Sequence, residues 1–311
     1  MPPVNRNKPV RAASSESQYS LMEFMRQYPD DAACLESLWR RRYSPDGEHA
    51  NCPKCLQERS FERYNTAQQR QSWTCTVCGH HLHPTAGTIF HKSSTSLYLW
   101  FYAMYLMTST RCGISAKQLE RELGVTYKTA WRMAFLIRNE LMQQDDGPLT
   151  GAVEADETYI GGRRRGTPRG RPGPGSHKVA VFGMVQRKGR VLAVTVPNVK
   201  KVTLLPHIIK HVIPASTIYT DELRSYNSLK REGYGHQTVN HSEEVWVSGD
   251  AHTNTMEGFW SLTKRGIGGV YHSVSAKHLQ GYLNEYAWRY NRRDDGQAQF
   301  ETLLLRAAKA S

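Results

Sequence analysis

Two Cys-x-x-Cys pairs, Cys52 with Cys55 and Cys75 with Cys78, constrain residues 49–92 more tightly than any apolar pattern constrains the rest of the chain. Four thiolates on two knuckles at this separation supply the tetrahedral set that a structural Zn²⁺ takes. The sequence between them, in SFERYNT and RQSWTC, alternates like the strands of a ribbon. His80, His81, His83 and His91 follow closely, but four cysteines already complete the coordination shell. Residues 1–18 carry basic side chains without an apolar stretch, so they read as a flexible tail rather than an export signal. That places the chain in a reducing, cytoplasmic compartment, where paired cysteines bind metal more often than they form disulfides. Cys34 and Cys112 lie in helical patterns and read as buried free thiols.

Around this module the 311 residues divide by pattern. A helical preface is expected over 19–48, with Asp30 or Asp31 as a cap, then the zinc ribbon over 49–92 and helical patterns over 93–147. The polar stretch QQDDGPLTG, 143–151, marks a boundary. Beyond it, 150–295 alternates strands at 151–160, 179–187, 190–197, 216–222 and near 237–240 with helices at 202–212, 223–231, 253–265 and 275–291. A mixed sheet with helices on its faces follows, so the fold class is α+β multidomain, ending in a C-terminal tail at 296–311. The 41 Lys and Arg against 28 Asp and Glu leave a net charge of +13, which suits a polyanionic partner. The longest apolar run, Leu97 to Met107, is about half the roughly 20 residues that span a bilayer, so no membrane segment is expected.

Within 115–132 an amphipathic helix, a turn at Gly124 and a second helix after Thr126 match the helix-turn-helix layout, with Ala116, Leu119, Val125 and Trp131 as packing positions. The second helix would present Tyr127, Lys128, Thr129 and Arg132 to a DNA groove. A second basic feature is the Gly- and Pro-rich loop 161–178, whose Arg163, Arg164 and Arg165 would follow a DNA backbone.

The acidic residues carry the chemistry. In VEADETYIGG, 153–162, strand alternation puts Glu154 and Asp156 on one face and Ala155 and Glu157 on the other. Acids in an apolar strand are costly unless they bind a cation or pair. Asp221 closes the apolar run of STIYTDE at a strand's C-terminal edge, and 35 residues separate it from Glu257. Glu257 lies in a helical pattern with Lys264 seven positions beyond on the same face, beside Arg265. Three carboxylates so placed suit Mg²⁺ or Mn²⁺, which take oxygen ligands, and two such ions support in-line phosphodiester displacement.

CPKC with CTVC, TAGTIFHKSS, VEADETYIGG, YTDELRSY and HTNTMEGFWSLTKRGIGGVYH followed by LNEYAWRYNRR together span about residues 30–293. In these motifs the chain resembles the bacterial insertion-sequence transposases that join a zinc ribbon and helix-turn-helix to a ribonuclease-H-like DDE domain. The resemblance implies Asp156 and Asp221 as first and second metal ligands, Glu257 as the third and Lys264 as the basic residue beyond. Asn254, one turn before Glu257, is the alternative third ligand, because some relatives carry Asn there. It further implies a nucleoid-associated enzyme that binds double-stranded terminal inverted repeats, cuts and joins them to target DNA, and works as a homo-oligomer. The competing readings are a DNA-binding regulator on an inactivated transposase fold and a metal-dependent nuclease that cuts without joining.

Overall fold

The computed structural model describes residues 19–64, 71–110, 112–144, 147–161, 178–238, 253–293 and 298–309. It divides into two compact units, one made of residues 1–111 with 292–311 and the other of 112–291. None of its described helices is long and apolar enough to cross a membrane.

The first unit opens with two helices. Helix α1 (Leu21–Gln27) starts in a capping box of Ser20 and Glu23. Helix α2 (Asp31–Arg42) starts where the Asp30 carboxylate accepts from Ala33 N at 2.8 Å, so of the two candidate caps Asp30 serves. Strands β1 (His49–Cys52), β2 (Gln57–Tyr64), β3 (Ser72–Cys75) and β4 (His81–Leu82) form an antiparallel sheet in sequence order. A sheet this small buries little by itself, and α2 lies across it, with Trp39 stacked on Trp73 at 4.7 Å between centroids. Helix α3 (Leu97–Ser109) sends Phe101 against Tyr28 and Phe300.

Phe300 belongs to α9 (Ala298–Ala308), which corrects the expected tail at 296–311: Phe300, Leu303 and Leu304 are fully buried. The Arg41 to Glu301 ion pair, 2.7 Å, adds a polar tie to α2. Cys34 is buried as expected, whereas Cys112 is exposed in a turn, because the helical pattern breaks at Gly113 (φ +92°).

The second unit is built on a five-stranded sheet of order β7-β6-β5-β8-β9, made of β5 (Ala152–Ile160), β6 (Val179–Gln186), β7 (Val191–Val196), β8 (Thr217–Thr220) and β9 (Gly235–Thr238). Strands β5, β6 and β7 run antiparallel as a meander; β8 lies parallel to β5, and β9 parallel to β8. Helix α6 (Lys201–His211) covers one face, while α7 (Asn254–Gly266) and α8 (Leu279–Asn291) cover the other. The helix expected at 223–231 is instead two 3₁₀ turns, Arg224–Tyr226 and Leu229–Glu232. Residues three apart eclipse in that geometry, which sends both Tyr226 and Leu229 into the core. The exposed edge of β7 is closed by side-chain amides: Gln144 pairs with both backbone groups of Ala193, Asn291 with both of Val191, and Gln280 accepts from Thr195 N.

Helices α4 (Ala116–Leu123) and α5 (Tyr127–Leu136) belong to this same unit, so the chain divides near residue 111 rather than at the polar stretch 143–151. The physical reason is a buried ion pair. A π-helical turn after α5 carries Arg138, whose Nε donates to Glu285 Oε2 of α8 at 2.6 Å. Arg289 and the Tyr271 hydroxyl complete the shell of Glu285 at 2.7 and 2.9 Å, and the Arg138 guanidinium stacks on Tyr282. Burial alone would push the Glu285 carboxyl up, but the two guanidiniums hold it below the usual carboxylate range. Because both charges are fully desolvated, removing one partner is far costlier than replacing both. Arg138→Ala is therefore expected to destabilise the chain by about 3–5 kcal/mol in denaturant unfolding, and the double variant Arg138→Met with Glu285→Leu by clearly less. Equal losses in the two variants would refute the account.

Candidate functional site

Strand β5 passes between two environments, and its alternation sorts the acids. Val153 and Ala155 enter the core under α6, while Glu154 and Asp156 face α7. Glu154 is completely buried and takes Thr255 N and Met256 N at 2.9 and 3.0 Å, the Thr255 hydroxyl at 2.9 Å, and Arg187 Nε at 2.9 Å. A carboxylate receiving the first amides of a helix satisfies orphan donors and the helix dipole together. Glu154 thus fixes the start of the helix that carries Glu257.

Asp156 lies two residues on. Its Oδ2 accepts from Trp260 Nε1 at 3.0 Å, one helical turn after Glu257. Gly183 stands opposite Asp156 on β6, and any Cβ there would run into Trp260 and Met256. The glycine therefore clears the space in which the indole reaches the aspartate. Parallel pairing of Glu154 with Tyr219 carries the register toward Asp221, which follows the last residue of β8. Asp221 Oδ1 accepts from Leu223 N at 3.0 Å.

Burial and then the charge of Asp221 push Asp156 up to about 6, with Glu257 adding to the same effect. Glu157, on the other face of β5, accepts from the Tyr226 hydroxyl at 2.5 Å. Burial pushes it up to about 7, with Asp221 and Asp156 contributing. Acids that raise one another in this way are repelled by their own proximity, and a cation is the natural counter-charge.

Glu257 is exposed on α7 and accepts from the Thr253 hydroxyl at 3.1 Å; Asn254, the first residue of α7, and Lys264 and Arg265 in its last turns are exposed as well. Asp156, Asp221 and Glu257 are thus brought to one side of the sheet, yet their oxygens do not converge as the cysteines do. The only group of three or more metal-ligating residues drawn together within 4.8 Å among the described residues is Cys52, Cys55, Cys75 and Cys78. Their sulfurs approach in two pairs, 3.5 Å for Cys52 to Cys78 and 4.0 Å for Cys55 to Cys75. A Zn²⁺ tetrahedron with Zn–S bonds of about 2.3 Å has edges of about 3.8 Å, so the donor set fits that metal.

Helices α4 and α5 form as the pattern demands, with Ser115 and Thr126 as caps and Gly124 left-handed at φ +63° between them. Tyr127, Lys128 and Arg132 are exposed and Thr129 half-buried. Arg163, Arg164 and Arg165 lie outside the described residues. Glu154, Gly183, Trp260 and Tyr226 were not singled out for these tasks from sequence. The Trp spaced one turn after Glu257 was the available signal.

The profile of the ISXO2-like transposase domain matches residues 148–291. A protein of the transposable element ISH50 from Halobacterium salinarum is 30% identical over 273 residues, covering 81% of this chain and 90% of that one. The chain belongs to the insertion-sequence transposases. A transposase-like protein of Haemophilus influenzae is 36% identical over 104 residues, 33% of this transposase and 83% of that protein. Among solved structures, a Mos1 strand transfer complex aligns with 68% of the transposase at 13% identity and a TM-score of 0.29, too loose a superposition to carry geometry across. As a transposase the chain is a DNA-cleaving and strand-transferring enzyme.

The raised carboxyls set a pH dependence. Asp156 and Glu157 ordinarily titrate at 3.8 and 4.5, and in the folded chain at about 6 and about 7. The fold therefore binds protons that the unfolded chain has released, and their stabilising effect is lost as pH rises through 6 and 7. Without divalent metal, the melting temperature is expected to fall between about pH 5 and about pH 8, and Asp221→Asn to flatten that fall. An identical slope in the variant would contradict the coupling.

Proposed function

We propose that Asp156, Asp221 and Glu257 hold the divalent metal ions of a DDE transposase on a ribonuclease-H-like domain. What supports this is the placement of two acids on adjacent parallel strands and a third on a helix anchored to the first strand through Glu154. The all-oxygen donor set suits Mg²⁺ or Mn²⁺. Bound there, the ions supply activation of the attacking oxygen and neutralisation of the leaving one.

The chain's own residues do the rest. Trp260 fixes one oxygen of Asp156. Asp221 is held at the strand edge by Leu223 N. Lys264 and Arg265, exposed on α7, meet DNA phosphates near the reacting bond. Hydrolysis frees a 3′-hydroxyl at each element end; that hydroxyl attacks a target phosphodiester, forming the new 3′-O–P bond as the target's 3′-oxygen leaves.

Helix α5 enters the major groove of the terminal inverted repeats with Tyr127, Lys128, Thr129 and Arg132 at its leading end, and Arg163, Arg164 and Arg165 follow the backbone. Two ends must meet to be joined, so the working form is a homo-oligomer on DNA. The four cysteines hold one structural Zn²⁺.

Asp221→Ala is expected to lower Mg²⁺-dependent strand transfer by at least about a thousandfold while terminal-repeat binding in a gel-shift assay persists, given that charge stabilisation at the reacting oxygens is the main catalytic contribution. Undiminished joining would sink the assignment. For the ribbon, metal analysis of purified protein should find one zinc per chain, lost in Cys75→Ser together with protease resistance of residues 49–92. A zinc-free wild-type protein with an equally resistant ribbon would exclude the metal.

A further inference from the structure

The second unit holds a half-enclosed groove of about 510 Å³ between the starts of α4 and α5 on one side and residues 270–278 on the other. Two cations line it, Lys117, which is ion-paired with Glu120, and Arg121; no carboxylate is among its described lining residues. Lys117 lies over the Tyr127 ring, 5.8 Å from its centroid, and the tyrosine is 47% exposed. Deeper in, Trp131 is held in one plane by stacking on Phe135 at 5.2 Å and by the edge of His278 at 5.1 Å. The opposite wall carries His272 at φ +58° and ψ −43°, a conformation that a residue with a Cβ rarely adopts. Such strain persists where the surrounding structure over-determines it.

Cations beside fixed aromatic faces are the chemistry that binds a nucleotide by its phosphate and its base at once. Size decides the form. A duplex, whose own major groove is about 12 Å wide and admits a helix, cannot enter a cleft of this volume, whereas one unstacked nucleotide can. We propose that this groove binds a single unpaired nucleotide of the DNA, phosphate against Arg121 and base against Trp131. The inference rests on the reading of the chain as an enzyme that acts on DNA. It goes beyond that reading by giving α4 and α5 a second, single-strand-binding side.

The test uses the full-length protein with a fluorescein-labelled oligothymidylate and, separately, a hairpin duplex, and compares Arg121→Gln, Lys128→Gln and Trp131→Phe. Arg121→Gln is expected to weaken oligothymidylate binding about fivefold and leave duplex binding unchanged, as loss of one phosphate contact requires. Trp131→Phe, which keeps a ring and the fold, should abolish part of the tryptophan quenching that oligothymidylate causes. Wild-type protein that binds no oligothymidylate, an Arg121→Gln variant that loses nothing or loses equally on both DNAs, or quenching unchanged in Trp131→Phe would each overturn the proposal. Lys128→Gln separates it from the helix-turn-helix reading. Weakened duplex binding supports that reading, while intact duplex binding beside a single-strand defect in Arg121→Gln sinks the reading and leaves the groove standing.

Discussion

The buried carboxylate of Glu154 is the contact on which the arrangement of the acidic site depends. It stands in the middle of an apolar layer, where an unpaired charge would be intolerable, and its oxygens are taken up by two helix amides, a hydroxyl and a guanidinium. Those amides are the first of α7. The strand that carries Asp156 therefore also dictates where the helix carrying Glu257 begins, and the two acids cannot drift apart without exposing Glu154. Trp260 makes a second tie from the same helix to the same strand, and Gly183 keeps the space beneath it open. The acids of the candidate site are thereby held by contacts between one strand and one helix, as a site needs if its geometry is to survive the repulsion of its own charges.

A second buried charge plays the corresponding part for the helix-turn-helix. Arg138 and Glu285 join the end of α5 to α8, and α8 packs on the sheet. The helices read as DNA-binding are consequently part of the same compact unit as the acids rather than a separate module. The amide caps along β7 serve the same unit at its edge, where an unpaired strand in a sheet that must handle DNA ends would otherwise invite association with another strand.

Much of this was legible in the residues. The period-2 pattern of 153–162 correctly separated Glu154 and Asp156 from Ala155 and Glu157, and Ser115, Gly124 and Thr126 marked α4 and α5 to the residue. The four cysteines came together as their spacing implied. Other features were hidden for identifiable reasons. Residues 296–311 looked like a tail because a single short amphipathic helix has no visible partner until Phe24, Tyr28 and Phe101 are in place around Phe300. Residues 223–231 carried a helical period that Tyr226 and Leu229 satisfy equally well in 3₁₀ turns. Cys112 sat inside an apolar pattern that Gly113 interrupts.

Local rules thus determined which residues could do chemistry and on which kind of element each stands: alternation for the strand acids, capping for the helices, knuckle spacing for the thiolates. Which of the two strand acids anchors a helix was decided only by the tertiary structure. Glu154 and Asp156 share a strand, a face and a charge, and alternation alone does not distinguish them. The packing of α7 does, because its backbone amides reach one carboxylate and its indole the other. The joining of α5 to α8 through Arg138 and Glu285 was decided in the same way, since a buried ion pair has no local signature and exists only once both partners have been removed from water.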